Sequence, residues 1–272
     1  MDYEILYPEK KKRLESHIRY FKASKDVTPA NKKAVLGFID SCEAKGLSVS
    51  RTTFYLDRLK GMVKIIPKKD YKDFTREDVE KVMVKLRERK LAEWTKVCYI
   101  TSFKFFWKWL FELEDGDKLP KCVSWLKTST PPTKLTKEDL ISPEDFNKML
   151  EATNNLMHKA LLCVLYETGV RPGELRSIKL KDVSVNTKFI KLYASGKMKK
   201  KQAKRPVYVI KNYDTVKAWI ENHPLKGNDE AFLWLIKDNG VYIPMKEASF
   251  GRFLQRIGEK ALVSRSENPM PF

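Results

Sequence analysis

Pro131 and Pro132 stand side by side in the polar run KTSTPPTKLTKED, residues 127–139, which has no apolar periodicity. Proline has no amide hydrogen to donate and disfavours helix at the residue before it, so no helix crosses this point. A chain of 272 residues is long enough for about two domains. The expected division is an N-terminal extension over 1–24, a helical domain over 25–126, a linker over 127–141 and a second domain over 142–272.

The first half reads as helices. Thr28-Pro29 places a hydroxyl at an N-cap and proline at the first helical position, opening a helix that closes near Gly46. Another follows Ser48 or Ser50 and runs to about Ile66, where Pro67 stops it. Thr75 with Asp78 forms a capping-box pattern for a helix to about Lys90. The fourth spans about 93–113, with Val97, Ile100, Phe103, Trp107 and Leu110 on one face. No strand signal appears before the prolines.

The second half is mixed. Ser142-Pro143-Glu144-Asp145 starts a helix to about 153, an apolar helix follows over about 156–168 and stops at Gly169, and a short helix begins at Pro172. KFIKLYAS (188–195) and RPVYVI (205–210) read as strands, joined through nine polar residues into a long hairpin. Helices resume at about 212–222 and 246–261. The expected class is mainly α, a helical domain followed by a mostly helical one with one small antiparallel sheet.

Composition narrows the function. The most apolar stretch, about 97–113, is interrupted by Lys104, Lys108 and Glu112, which excludes a membrane span there. The opening residues lack a basic start followed by an apolar core, so no secretory signal is expected and the protein should stay in the cytoplasm. Cys42, Cys98, Cys122 and Cys163 are too far apart to clamp a metal and read as buried thiols. With only three histidines and no H-E-x-x-H, metal catalysis is not expected, nor any cofactor. The formal charge is +19, with 29 basic against 19 acidic residues in 1–130 and 25 against 16 in 131–272. An excess spread over both halves suits a polyanion, nucleic acid first, gripped by the whole body. The competing reading is the Lys and Glu enrichment of a heat-stable protein.

Two segments carry candidate chemistry. Thr168-Gly169-Val170-Arg171-Pro172-Gly173-Glu174-Leu175 sets an arginine just after a helix-ending glycine and at the start of the next helix, a place suited to phosphate. A surface turn in which Arg171 pairs with Glu174 or Glu167 is the alternative. Ser195-Gly196-Lys197 ends a strand and leads into Lys199, Lys200, Lys201, Lys204 and Arg205, read either as phosphate contacts or as a solvated charged turn. Lys96, Lys104 and Lys108 lie at multiples of four on the fourth helix, a phosphate stripe or a wet face.

The order T-G-x-R-x-x-E-L, strand, G-K, basic turn, K-R-P-V-Y-V resembles the catalytic domain of the tyrosine recombinase (phage integrase) family, with 26 residues from Arg171 to Lys197. The resemblance covers about residue 25 to the end, and size and lysine content look most like integrases of archaeal plasmids and viruses. It implies a core-binding (SAM-like) helical domain and a catalytic domain that clamp double-stranded DNA. It also implies strand cleavage through a 3′-phosphotyrosyl ester without metal, ATP or redox cofactor, and a synaptic tetramer on DNA in the complete enzyme. Arg171 would stabilise the scissile phosphate and Lys197 would protonate the departing 5′-oxygen. Glu174 would orient the site or serve only as a buried salt bridge.

The sequence departs from the family at its end. The helix around 249–257 and the approach Glu267-Asn268-Pro269-Met270-Pro271-Phe272 precede the place of the H-x-x-R box. Neither the box nor a tyrosine beyond it follows, unless Phe272 stands where the box histidine would. The expectation is a DNA-binding chain that does not cleave by itself, cut from a longer enzyme or produced by an interrupted gene. An architectural or regulatory DNA-binding module is the alternative, and an RNA-binding protein a third, for which no RNP-type aromatic motif or GXXG loop is found.

Overall fold

The computed structural model describes residues 6–129, 140–198 and 201–262, with backbone alone for 8, 194–198 and 201–204. Two units divide it: 8–133, and 134–272 joined by the N-terminal residues through Tyr7.

Local chemistry explains three of the six helix starts described in the first unit. Its helices are α1 (Pro8–Ala23), α2 (Pro29–Ala44), α3 (Val49–Val63), α4 (Arg76–Glu88), α5 (Glu93–Leu110) and the single turn α6 (Lys121–Ser124). Thr28 accepts from the Asn31 amide and Ser48 from that of Arg51, each satisfying a donor that a helix start leaves free. Thr75 and Asp78 cap α4 reciprocally. The buried Asn31 side chain donates to Lys69 O and accepts from Tyr71 N, both at 2.8 Å, fastening α2 to the loop before α4. The core is aromatic: Phe38 meets the rings of Tyr55, Phe105, Phe106 and Trp109 edge-on at 5.1–5.8 Å.

Helix α1 was not expected, because PEKKKRLE hides its stripe. Leu14, His17 and Phe21 form that stripe, and the last two are buried. His17 Nε2 lies 3.7 Å from Asp57 of α3, too far for a hydrogen bond, and both ring nitrogens lack a hydrogen-bond partner. Burial lowers its pKa below 6.5; Asp57 pulls upward, while Lys60 and Arg13 push down. Burial also lowers His158 and His223 of the second unit, with only backbone contacts opposing it at His223. Each folded-state pKa therefore lies below the unfolded one, so the unfolded chain binds more protons and stability falls as pH drops below 6.5. Thermal melts should show lower melting temperatures at pH 5.5 than at pH 7.5 in both units; a flat or rising profile would contradict this.

The second unit contains α7 (Pro143–Glu151), α8 (Leu156–Thr168), α9 (Pro172–Arg176), β1 (Val183–Val185), β2 (Ile190–Met198), β3 (Lys201–Val209), α10 (Tyr213–Glu221), β4 (Leu235–Asp238), β5 (Val241–Pro244) and α11 (Glu247–Lys260). Strands β1-β2-β3 form one antiparallel sheet and β4-β5 a separate hairpin. Ile190 pairs with Val209 and Leu192 with Val207, and all four side chains enter the core beside α8. The architecture is mainly helical with small antiparallel sheets.

Three expectations need correction. Among the described residues there are two sheets rather than one. Asn239 and Gly240, with φ of 48° and 85°, make the two-residue turn of β4-β5, and Asn-Gly between LIKD and VYIP is the sequence signal for it. The expected polar loop 196–204 is mostly ladder, since β2 and β3 stay paired out to Met198 and Lys201. Backbone hydrogen bonds do not require apolar side chains, so polarity there marks only faces that need no burial. Among the cysteines, Cys42, Cys122 and Cys163 are buried but Cys98 is only half-buried.

Candidate functional site

Helix α8 ends where Gly169 takes the left-handed conformation (φ 57°), with its amide donating to Leu165 O. Buried Val170 anchors the turn, and Arg171 follows in extended backbone as the N-cap of α9, with Pro172 next. The Arg171 side chain is 77% exposed while that of Glu174 is 8% exposed. Arg171 Nη1 donates to Glu174 Oε1 at 3.0 Å, and the Arg171 amide donates to Oε2 at 3.3 Å. From β3, Arg205 Nη2 donates to the same Oε2 at 2.9 Å. Burial raises the Glu174 pKa, but hydrogen bonds from Arg205 and Arg171 outweigh it and hold the carboxyl below its ordinary range. One buried anion thus gathers two cations, leaving a net positive charge with Arg171 reaching into solvent.

The expected pairing of Arg171 with Glu174 is present and that with Glu167 is not. Glu167 instead accepts from the amides of Ile210, Lys211 and Asn212 and from the Asn212 side chain, tying β3 to the start of α10. The helix start adds less than expected for phosphate: α9 has five residues, and the Glu174 carboxylate already takes the Arg171 amide.

Register places the other residues. Arg205 pairs with Ala194, and Lys197, opposite Gln202, lies three residues further along β2, about 10 Å at strand rise. Lys197 is thus on the sheet beside the turn rather than in a loop. Lys199 and Lys200 lie outside the described residues, as do the side chains of Lys197, Lys201 and Lys204, most of the linker and the end of the chain.

In the first unit, Lys96 pairs with Glu93 at 2.6 Å and Lys108 with Asp115, whereas no ion pair joins Lys104 among the described residues. The stripe on α5 is therefore partly neutralised. The sequence reading missed a basic-aromatic cluster on α3. The Arg58 guanidinium lies 3.9 Å from the Phe54 ring centroid and 5.7 Å from that of Tyr99, and Arg51 lies 5.0 Å from both Phe54 and Tyr55. The spacing Arg51, Phe54, Arg58 along one helix face was its available signal.

Residues 139–270 match the phage integrase family. Tyrosine recombinase XerD of Oceanobacillus iheyensis is 24% identical over 188 residues, covering 68% of this chain and 58% of that relative's length. Solved structures share the fold. The lambda integrase tetramer bound to a Holliday junction is 13% identical, over 87% of this chain and 68% of that one, with a TM-score of 0.64. The Tn1549 transposon integrase in complex with circular intermediate DNA is 16% identical, over 88% and 81%, at 0.61. XerH bound to its difH substrate is 16% identical, over 97% and 81%, at 0.57. Residues 139–270 thus carry the match to the phage integrase family, and the fold is shared with these solved integrases and the XerH recombinase.

Proposed function

We propose that this chain binds double-stranded DNA and supplies the phosphate-holding part of a site for site-specific recombination, in which a strand is broken and rejoined through a 3′-phosphotyrosyl ester. The observation that carries the reading is the Glu174 carboxylate, which holds Arg171 through its amide and Nη1 while the Arg171 side chain stays 77% exposed. A fork of donors held this way suits the charge that develops on a phosphate under attack. Lys197 would give its proton to the 5′-oxygen as the phosphorus–oxygen bond breaks and the tyrosine oxygen takes its place. One phosphoester replaces another, so no nucleotide is consumed. In the whole protein the reaction would proceed in a tetrameric synapse, a reading supported by the lambda integrase tetramer on its Holliday junction.

Residues 1–272 by themselves are proposed to bind without cutting. The last of the eleven tyrosines is Tyr242, on β5, with Lys237 of β4 5.7 Å from its ring centroid. Mixed with nicked duplex DNA, the chain should retard the duplex and leave no denaturant-resistant protein–DNA adduct. Failure to bind would contradict the DNA reading, and an adduct would show that one of these tyrosines is a nucleophile.

A further inference from the structure

We infer that Tyr7 is a positioning residue for Arg171, holding α9 from outside while Leu6 beside it anchors it. The inference rests on the phosphate-binding reading of Arg171 given above.

Leu6 is 3% exposed and packs in a small cluster with Phe232 and Leu235, against which Leu225 and Tyr7 also lie. Leu6 and Tyr7 are thereby anchored on the second unit. From that anchor Tyr7 meets α9 at two places. Its ring centroid lies 4.6 Å from the Arg176 guanidinium. Its hydroxyl oxygen lies where a Cβ on Gly173 would come within 3.0 Å of it.

Both contacts answer a local need. Arg176 is 2% exposed, its Nη1 donates to Met245 O at a long 3.4 Å, and its Nε has no hydrogen-bond partner. No ion pair with an acid reaches it among the described residues. A buried guanidinium so thinly satisfied depends on the Tyr7 ring face for much of its compensation. Helix α9, at five residues, is too short to hold itself. Gly173 lies between Arg171 at the N-cap and Glu174, so a side chain pressed on Gly173 and stacked on Arg176 fixes the segment that presents both.

The test compares Tyr7→Ala and Tyr7→Phe in the full chain by amide hydrogen exchange and by duplex DNA affinity. Tyr7→Ala should speed exchange over 172–178 about tenfold while leaving α8 unchanged, and should weaken duplex binding severalfold. Tyr7→Phe keeps the ring on Arg176 and loses only the hydroxyl beside Gly173, so it should restore most of both. Leu6→Ala, which loosens the anchor and spares the ring, should give the same local pattern at smaller size. Unchanged exchange over 172–178 in both Tyr7→Ala and Leu6→Ala would overturn the inference. So would an acceleration spread evenly over 140–262, the mark of a residue that merely adds to the core. Arg171→Ala is the control: if it binds duplex as the parent does, the phosphate reading falls, while the exchange comparison still decides whether Tyr7 holds α9.

Discussion

Replacing Glu174 by alanine is expected to lower the melting temperature of the second unit by about 6 °C at pH 7, from a loss of about 2 kcal/mol. The buried carboxylate accepts three hydrogen bonds, two from Arg171 and one from Arg205. Losing a buried partner usually abandons a charge in a dry place at higher cost. Here Arg171 is 77% and Arg205 38% exposed, so both cations can turn to water, which moderates the loss. The pH dependence separates this account from simple loss of packing. The folded-state pKa of Glu174 is depressed, so its contribution is fully present above the unfolded value near 4.5 and fades as pH falls through the folded value. The gap between parent and Glu174→Ala should therefore shrink below pH 4.5. A gap that stays constant with pH would mean that packing, rather than charge, is what Glu174 supplies.

What the sequence made legible follows from how local each cause is. Thr28, Ser48, Thr75 and Ser142 cap helices through contacts three residues away, so each start can be read from a short window. Helix α1 could not be read that way, because its burial is decided by α3, to which Arg13 and His17 reach across to Asp57. The extended hairpin was hidden for a related reason: backbone pairing of 196–198 with 201–203 leaves no mark in the side chains.

The site divides along the same line. Arg171 and Glu174 lie three residues apart, and their pairing was visible as one of two alternatives. Arg205 comes to the same carboxylate only through the register of β3 with β2, which no spacing in the sequence encodes. Tyr7 is further removed still, 166 residues before Gly173, and only the folded chain brings them together. Lys96 and Lys108 lie at a spacing that reads as either a phosphate stripe or a wet face, and their ion pairs with Glu93 and Asp115 are contacts that helical periodicity does not disclose.

The central claim is that Arg171 holds a DNA phosphate, and the most direct measurement is duplex affinity across a salt series for the parent chain and Arg171→Ala. A chain of formal charge +19 that neutralises several phosphates should bind less tightly as salt rises, along a straight line in logarithms. Arg171→Ala should weaken binding about tenfold at constant salt and make the slope shallower by about 1, the loss of one charge-assisted phosphate contact. An Arg171→Ala chain with the affinity and slope of its parent, or a parent whose binding ignores salt, would contradict the account.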